Sequence, residues 1–419
     1  SAFNFGDDFV AFGFEDSEGE KDNTEERPRG ELGRDRDRER ERERSRNKDD
    51  GRGRKRKVEE YERGDRDAGK RDWAASSRVA PWLDLMDAEG CTNVASLLHR
   101  EVDAFVRYIS PMPEEDEVRA LTVEMISRAI VQRFPDAQVL PFGSYETKLY
   151  LPLGDIDLVV MSQSMAYSDR IAVLQALATT LRRAGVTSKV TIIAKAKVPI
   201  VKFITTHGRF AVDISVNQVN GIAAGRMVQG FLCSMPALRP LVLVTKAFLA
   251  QRAMNEVFTG GLGSYAIVCL AISFLQMHPK VRRGEIDPMN NLGTLVMEFF
   301  ELYGCYFNYN ETGISIREGG TYFSKRARGW QDLRNRGLLS IEDPGDITND
   351  ISKGSFNIGR VRQTFAGAHG ILTSRAYMLA NILRERRAGR SFSLREGRTN
   401  PEENSVLSHI LGVTREVRT

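Results

Sequence analysis

The sequence predicts an α+β chain, with its strands gathered between residues 138 and 216 and helices taking over after Arg239. Three observations predict it. Gln138-Val-Leu-Pro-Phe142 runs into a Gly143-Ser144 turn, and Asp155-Ile156-Asp157-Leu158-Val159-Val160 follows shortly after. Residues 189–194, 198–205 and 210–216 are short apolar runs of the kind that form buried strands. Beyond Arg239 the apolar residues recur at helical spacing instead.

The Asp-x-Asp strand carries the chemistry. Side chains of a strand alternate between faces, so Asp155 and Asp157 point to the same side. Two carboxylates held side by side repel each other unless a cation lies between them. Hard oxygen ligands suit Mg²⁺, which takes one or two carboxylates and completes its shell from substrate phosphates. The Gly143-Ser144 turn offers backbone N–H groups and a hydroxyl to a phosphate. Asp213, flanked by Val212 and Ile214, is costly in a buried strand unless paired or metal-bound, and is the third candidate carboxylate.

The remaining elements follow in order. Residues 95–109 place Leu97, Leu98, Val102, Phe105 and Val106 on one helical stripe. Residues 117–134 form a second helix, with Val118, Leu121, Met125, Ile126, Ile130 and Val131 expected to face inward. Residues 169–185 are amphipathic and end at Gly185. Residues 241–254 form a helix carrying Lys246, and the Gly260-Gly-Leu-Gly-Ser264-Tyr265 turn opens an apolar helix over 266–277. Helices are also expected at 292–305 and 361–383. Residues 338–356 read as a polar loop, and 386–419 as a basic, mostly loop-like end with an apolar patch at 406–411.

The first 75 residues are expected not to fold alone. Residues 34–46 alternate Arg with Asp or Glu and have almost no apolar side chain to offset the entropy of ordering. Phenylalanines among acids in residues 3–14 suggest a docking segment. Arg54-Lys55-Arg56-Lys57 is a basic cluster of the nuclear-import type.

At 419 residues and 41% hydrophobic content, there is room for two domains and a tail. A net charge of +4 points to a polyanionic partner. Cys91, Cys233, Cys269 and Cys305 lie far apart, which predicts reduced thiols and an intracellular setting. No apolar run reaches membrane-spanning length, no secretory signal is visible, and no membrane association is expected. The five histidines are scattered, so neither a Ser-His-Asp triad nor zinc-ligand spacing stands out.

Several stretches in order carry a resemblance: Pro141-Phe-Gly-Ser144, Leu153-Gly-Asp-Ile-Asp157, Ala196-Lys-Val-Pro-Ile200, Val212-Asp-Ile-Ser215, Gly260-Gly-Leu-Gly-Ser-Tyr265 and Asn349-Asp-Ile-Ser-Lys-Gly-Ser355. Over residues 81–384 the chain resembles nuclear poly(A) polymerases of the TRAMP type, within the DNA polymerase β-like nucleotidyltransferases. The resemblance implies a nucleotidyltransferase domain with a mixed β-sheet and a helical central, poly(A) polymerase-associated domain, with nucleotide in the cleft between them. It divides the chain into a disordered N-terminal tail (1–78), helices of the central domain (79–112), a catalytic domain (113–235), the rest of the central domain with its nucleotide-recognition loop (236–385) and a basic tail (386–419).

By the same resemblance, Asp155, Asp157 and Asp213 would hold two Mg²⁺ (or Mn²⁺), and Gly143 and Ser144 would grip the triphosphate. Gly221, Lys246, Ser264 and Tyr265 would line the nucleotide site, with Lys246 on the phosphates and Tyr265 stacking on the base. Asn349 and Lys353 fall in the recognition loop, where position 353 is commonly Arg. The implied reaction is template-independent polyadenylation of RNA 3′ ends with ATP, marking nuclear RNAs for the exosome. No His lies between Ile341 and Ser355, which favours ATP over the UTP of related uridylyl transferases. A terminal uridylyltransferase and a silent scaffold of an RNA-decay complex are the alternatives. The chain shows little RNA-gripping equipment beyond its basic tails. By the resemblance, a zinc-knuckle RNA-binding protein and an RNA helicase would supply it, and the nucleus, nucleolus included, is the implied location.

Overall fold

Strand β1 (Gln138–Phe142) lies at one edge of a five-stranded mixed sheet in the computed structural model of the chain. The structure describes residues 79–86, 91, 93–196, 198–388 and 405–413. The expectations for the tail at 1–78, for the docking segment at 3–14, for Arg54 to Lys57 and for Lys197 fall outside those residues, as do 389–404 and 414–419.

The other strands are β2 (Ile156–Met161), β3 (Val190–Ile193), β4 (Ile200–Ile204) and β5 (Ala211–Val216), in spatial order β1-β2-β5-β4-β3. Only β2 and β5 run parallel. Parallel neighbours need a long crossover. Here it contains helix α4 and the β3–β4 hairpin.

Among the described residues, α1 (Val94–Ile109) and α2 (Pro113–Arg133) precede the sheet. The short α3 (Gly143–Thr147) follows β1, and α4 (Arg170–Arg183) follows β2. Asn93 caps α1 by accepting from Ser96 N at 2.8 Å, and Asp169 caps α4 by accepting from Ala172 N at 2.8 Å.

One face of the sheet is the core. Ile156, Leu158 and Val160 of β2, Val201 and Phe203 of β4, and Val212 and Ile214 of β5 pack there against Ile126, Ile130, Leu174, Leu177 and Leu181. The period of two then sends Asp157, Lys202 and Asp213 to the other face.

Helix α2 corrects the sequence reading. Val118, Leu121 and Val131 are exposed, and the buried stripe is Arg119, Thr122, Ile126, Ala129 and Ile130. Arg119 turns inward because every part of its side chain finds a partner. Its Nη1 donates to Gly154 O at 2.8 Å and its Nε to Glu115 at 3.1 Å, and its guanidinium lies 4.4 Å from the Tyr150 ring centre. A hydrophobicity count cannot register a satisfied buried arginine.

The second half is built from α5 (Val219–Ser234), α6 (Leu238–Ala250), α7 (Ser264–Met277), α8 (Leu292–Glu301) and α9 (Ile358–Arg387). Helix α5 was not expected: Gly221, Gly225 and Gly230 lower its helix propensity, and no apolar stripe marks it. Phe248, Phe299, Phe300 and Phe365 stack at the centre of the helices, with Phe300 and Phe365 5.3 Å apart. The helix expected over 292–305 is α only to Glu301 and continues as a π turn, Leu302–Tyr306. Among the described residues no single helix is long and apolar enough to cross a membrane.

Two hairpins also depart from expectation. β6 (Thr312–Ser315) pairs with β7 (Thr321–Ser324), and the segment read as a polar loop contains β8 (Glu342–Asp343) paired with β9 (Asp346–Asp350).

The apolar patch near the end is structural. Val406, Leu407, Ile410 and Leu411 are buried, and the segment is pinned by Glu101 of α1, which is wholly buried. The Glu101 carboxylate accepts hydrogen bonds from Ser405 Oγ, from Val406 N at 2.9 Å, from Leu407 N at 3.1 Å and from Trp82 Nε1 at 3.5 Å. Loss of solvent pushes the Glu101 carboxyl above its usual range, and these four donors oppose that shift without cancelling it.

Candidate active site

Three strands deliver the charged groups to the open face of the sheet. Parallel pairing puts Asp157 in register with Asp213, and antiparallel pairing puts Lys202 in register with Asp213. Asp155 sits two residues before Asp157, on the same side. Lys202 Nζ lies 3.2 Å from Asp213 Oδ2 and 3.6 Å from Asp155 Oδ2. The Asp155 and Asp213 side chains are only 15% and 10% exposed, so their charges are weakly screened by water. Oδ1 of each is buried and accepts no hydrogen bond among the described residues.

The Gly143 turn is fitted to this cluster. Phe142 pairs with Asp157 across β1 and β2, and Gly143 follows with φ of +66°, a region that favours glycine. A Cβ at Gly143 would stand 2.5 Å from Asp157 Oδ2. Ser144 follows, half-buried, in α3. Gly221 of α5 lies over the same corner, since a Cβ there would meet the Phe142 ring at 2.8 Å.

The carboxylates suit a divalent cation by the chemistry of the donor set: three hard oxygen donors on one face, two of them largely buried. Among the described residues, no three Asp, Glu, His or Cys side chains enclose a metal position by themselves. Mg²⁺ requires no such cage, because water and substrate phosphates supply most of its ligands.

The second group of predicted residues meets elsewhere in the same unit. Ser264 and Tyr265 are the first two residues of α7. Asn349 of β9 donates from Nδ2 to Asp343 Oδ2 at 3.0 Å, and both residues are buried. Burial pushes the Tyr265 hydroxyl above its usual range, with the neighbouring Cys269 and Asp343 adding to the shift. Asp343 is thus bonded to Asn349, and its charge is felt at Tyr265. The Gly-rich turn and the recognition segment lock together through Asn357 N to Gly260 O at 2.9 Å and Asn357 Nδ2 to Thr259 O at 2.6 Å. Lys353 is exposed.

Lys246 links the two groups. It is buried in α6, which packs on α7, and its Nζ donates to Leu149 O at 3.0 Å, in the loop that leads to Asp155.

Sequence reasoning missed Lys202 and Asp343. Lys202, a charge between the apolar Val201 and Phe203, is as costly in a buried strand as Asp213. Sequence reasoning also missed a basic surface. Arg317, Arg326, Arg328, Arg334 and Arg336 are exposed around the β6–β7 hairpin, and Arg328 lies 3.8 Å from the centre of the Phe323 ring and 5.4 Å from that of Trp330.

Comparison with known proteins fits this geometry. The family described as "Poly(A) RNA polymerase, mitochondrial-like, central palm domain" matches residues 98–232, and that described as "Cid1 family poly A polymerase" matches residues 291–349. Poly(A) RNA polymerase CID14 of Cryptococcus neoformans is 49% identical over 359 residues, covering 85% of this chain and 46% of the relative. The chain thus spans about half the length of curated relatives such as this one. A Drosophila melanogaster protein named an inactive non-canonical poly(A) RNA polymerase, Trf4-2, is 37% identical and covers 69% of this chain and 71% of its own length. The solved polymerase core of TRAMP, an RNA surveillance complex, is 39% identical with a TM-score of 0.70, covering 80% of this chain and 99% of that one.

Proposed function

The chain belongs to the poly(A) RNA polymerases of the TRAMP type, and from that membership we propose that it transfers adenylate from ATP to RNA 3′ ends. The observation that carries this reading is the register of Asp157 with Asp213, beside Asp155, on the open face of the sheet. In the reaction, the RNA 3′-oxygen bonds to the α-phosphorus, the bond to pyrophosphate breaks, and the 3′-hydroxyl proton is lost. Asp155, Asp157 and Asp213 would hold Mg²⁺ or Mn²⁺. A divalent cation, when bound, stabilises charge on the attacking and leaving oxygens. Gly143 and Ser144 would receive the triphosphate, with Gly221 keeping that corner open. Lys246 holds the Leu149 loop against α6 and would bring positive charge towards the phosphates.

The base would lie between Tyr265 and the β8–β9 hairpin. One N–H of Asn349 Nδ2 donates to Asp343, which fixes the amide plane, and the amide would turn Oδ1 to the base. An acceptor there suits the exocyclic amine of adenine and repels O4 of uracil. The exposed arginines around Trp330 would track the RNA backbone.

The whole assembly would include a zinc-knuckle RNA-binding protein and an RNA helicase, act in the nucleus and feed the exosome. Supporting this are the likeness to the TRAMP core and the basic cluster at Arg54 to Lys57. A silent scaffold is the second reading, favoured by the inactive Drosophila relative.

Primer extension tests both, with one labelled RNA, each nucleotide separately, with and without Mg²⁺, and with and without a zinc-knuckle partner. Adenylate incorporation that vanishes in Asp155→Ala and in Asp213→Ala, each still folded by circular dichroism, is the expected result. Preference for UTP would overturn the substrate assignment. Absence of incorporation under every condition would favour the scaffold.

A further inference from the structure

Lys202 joins two of the candidate metal ligands. Its strand places it there by register, opposite Asp213 on β5, with Val201 and Phe203 anchoring the strand in the core on either side. Its side chain is 26% exposed and spans from Asp213 Oδ2 to Asp155 Oδ2. Three carboxylates on one partly buried face repel each other strongly in the absence of a counter-ion. A lysine is suited to a temporary role there, since its ammonium is a compact charge on a flexible four-carbon stem.

We propose that Lys202 is the built-in counter-ion of the carboxylate cluster before substrate arrives, and that it makes cation loading depend on the nucleotide. The inference rests on the nucleotidyl-transfer reading above. With Lys202 seated between Asp155 and Asp213, a free divalent cation meets a site already partly neutralised, and must compete with an ammonium for the same oxygens. An incoming triphosphate offers Lys202 a different anionic partner. The lysine then swings away, and the two carboxylates become available together. Cation and nucleotide therefore bind cooperatively, and the site stays intact and unloaded between turnovers.

The test measures Mn²⁺ binding by electron paramagnetic resonance, without RNA, in the presence and absence of a non-hydrolysable ATP analogue whose own Mn²⁺ binding is measured separately. The full chain is compared with Lys202→Met, Lys202→Arg and Lys202→Met/Asp155→Ala. Wild type should bind Mn²⁺ weakly alone and more tightly with the analogue. Lys202→Met should bind Mn²⁺ alone about tenfold more tightly, a conservative figure for a partly solvated charge, and should gain less from the analogue. Lys202→Arg should stay near wild type, and Asp155→Ala in the Met background should abolish the tight binding. In EDTA, Lys202→Met should melt lower than wild type and recover with Mn²⁺, which separates loss of the counter-ion from misfolding.

Equal or weaker Mn²⁺ binding by a folded Lys202→Met, with the same nucleotide dependence as wild type, would overturn the role of Lys202 while leaving the metal site standing. Failure of wild type to bind Mn²⁺ even with the analogue would overturn both.

Discussion

A side-chain carbon on Gly143 would stand 2.5 Å from Oδ2 of Asp157, inside any permissible contact. The backbone there is also left-handed. Gly143→Ala therefore strains the turn and pushes the Asp157 carboxylate, a proposed metal ligand, from its place. Strain of this kind costs about 1–3 kcal/mol, and displacement at the reacting centre lowers kcat by about a hundredfold. Gly185, at φ of +72° with nothing within 4 Å of a Cβ, is the control. Gly185→Ala should lower the melting temperature but leave primer extension unchanged.

Asn349 should set nucleotide preference. Asn349→Ala removes the amide and leaves Asp343 buried with one donor fewer. The expected result is a rise in KM for ATP of about tenfold, corresponding to one hydrogen bond, and a smaller change for UTP. Parallel KM measurements with the two nucleotides check it, and equal loss for both would remove Asn349 from base selection.

The exposed Arg334 and Arg336 should contribute charge and no base preference. Arg334→Gln with Arg336→Gln should weaken single-stranded RNA binding alike across sequences. Removing one arginine from a phosphate should reduce the slope of log affinity against log salt by about 0.7. Fluorescence anisotropy over a salt series reads it directly.

Glu101 should leave its mark on stability against pH. Its folded pKa is raised above 4.5 by burial, so the folded state holds a proton that the unfolded state has released. Its stabilising contribution is complete below about 4.5 and is lost as pH rises through the higher folded value. Urea midpoints over pH should show that decline in wild type and a flatter profile in Glu101→Gln. Glu101→Ala strips four donors of their acceptor and should cost roughly 2–4 kcal/mol. It should also open residues 405–412 to protease.

The legibility of this chain followed its apolar alternation. Asp155, Asp157 and Asp213 stood out because each interrupts or borders a strand whose neighbours are Ile, Leu or Val, and the structure brings them to one face of one sheet. The same alternation hides which strands pair, so the place of Lys202 beside Asp213 became visible only once β4 lay beside β5. In helix α2, Ile126 and Ile130 are buried as expected, but Val118, Leu121 and Val131 are exposed and Arg119 is buried in the stripe that faces inward. Helix α5 rests on tertiary packing that its glycines conceal. The β8–β9 hairpin is held by polar contacts such as Ser315 Oγ to Glu342 at 2.6 Å, which leave no hydrophobic signature.

Glu101 and Ser405 are separated by 304 positions. A nascent chain leaving the ribosome thus completes α1 long before the segment that satisfies its buried carboxylate exists. Until then the apolar surface awaiting Val406, Leu407, Ile410 and Leu411 remains wet, and closure of so long a loop is slow. Final consolidation of the helical region consequently waits for residues 405–411, and a stop codon placed just after α9 would yield a protein arrested one step short of its native state.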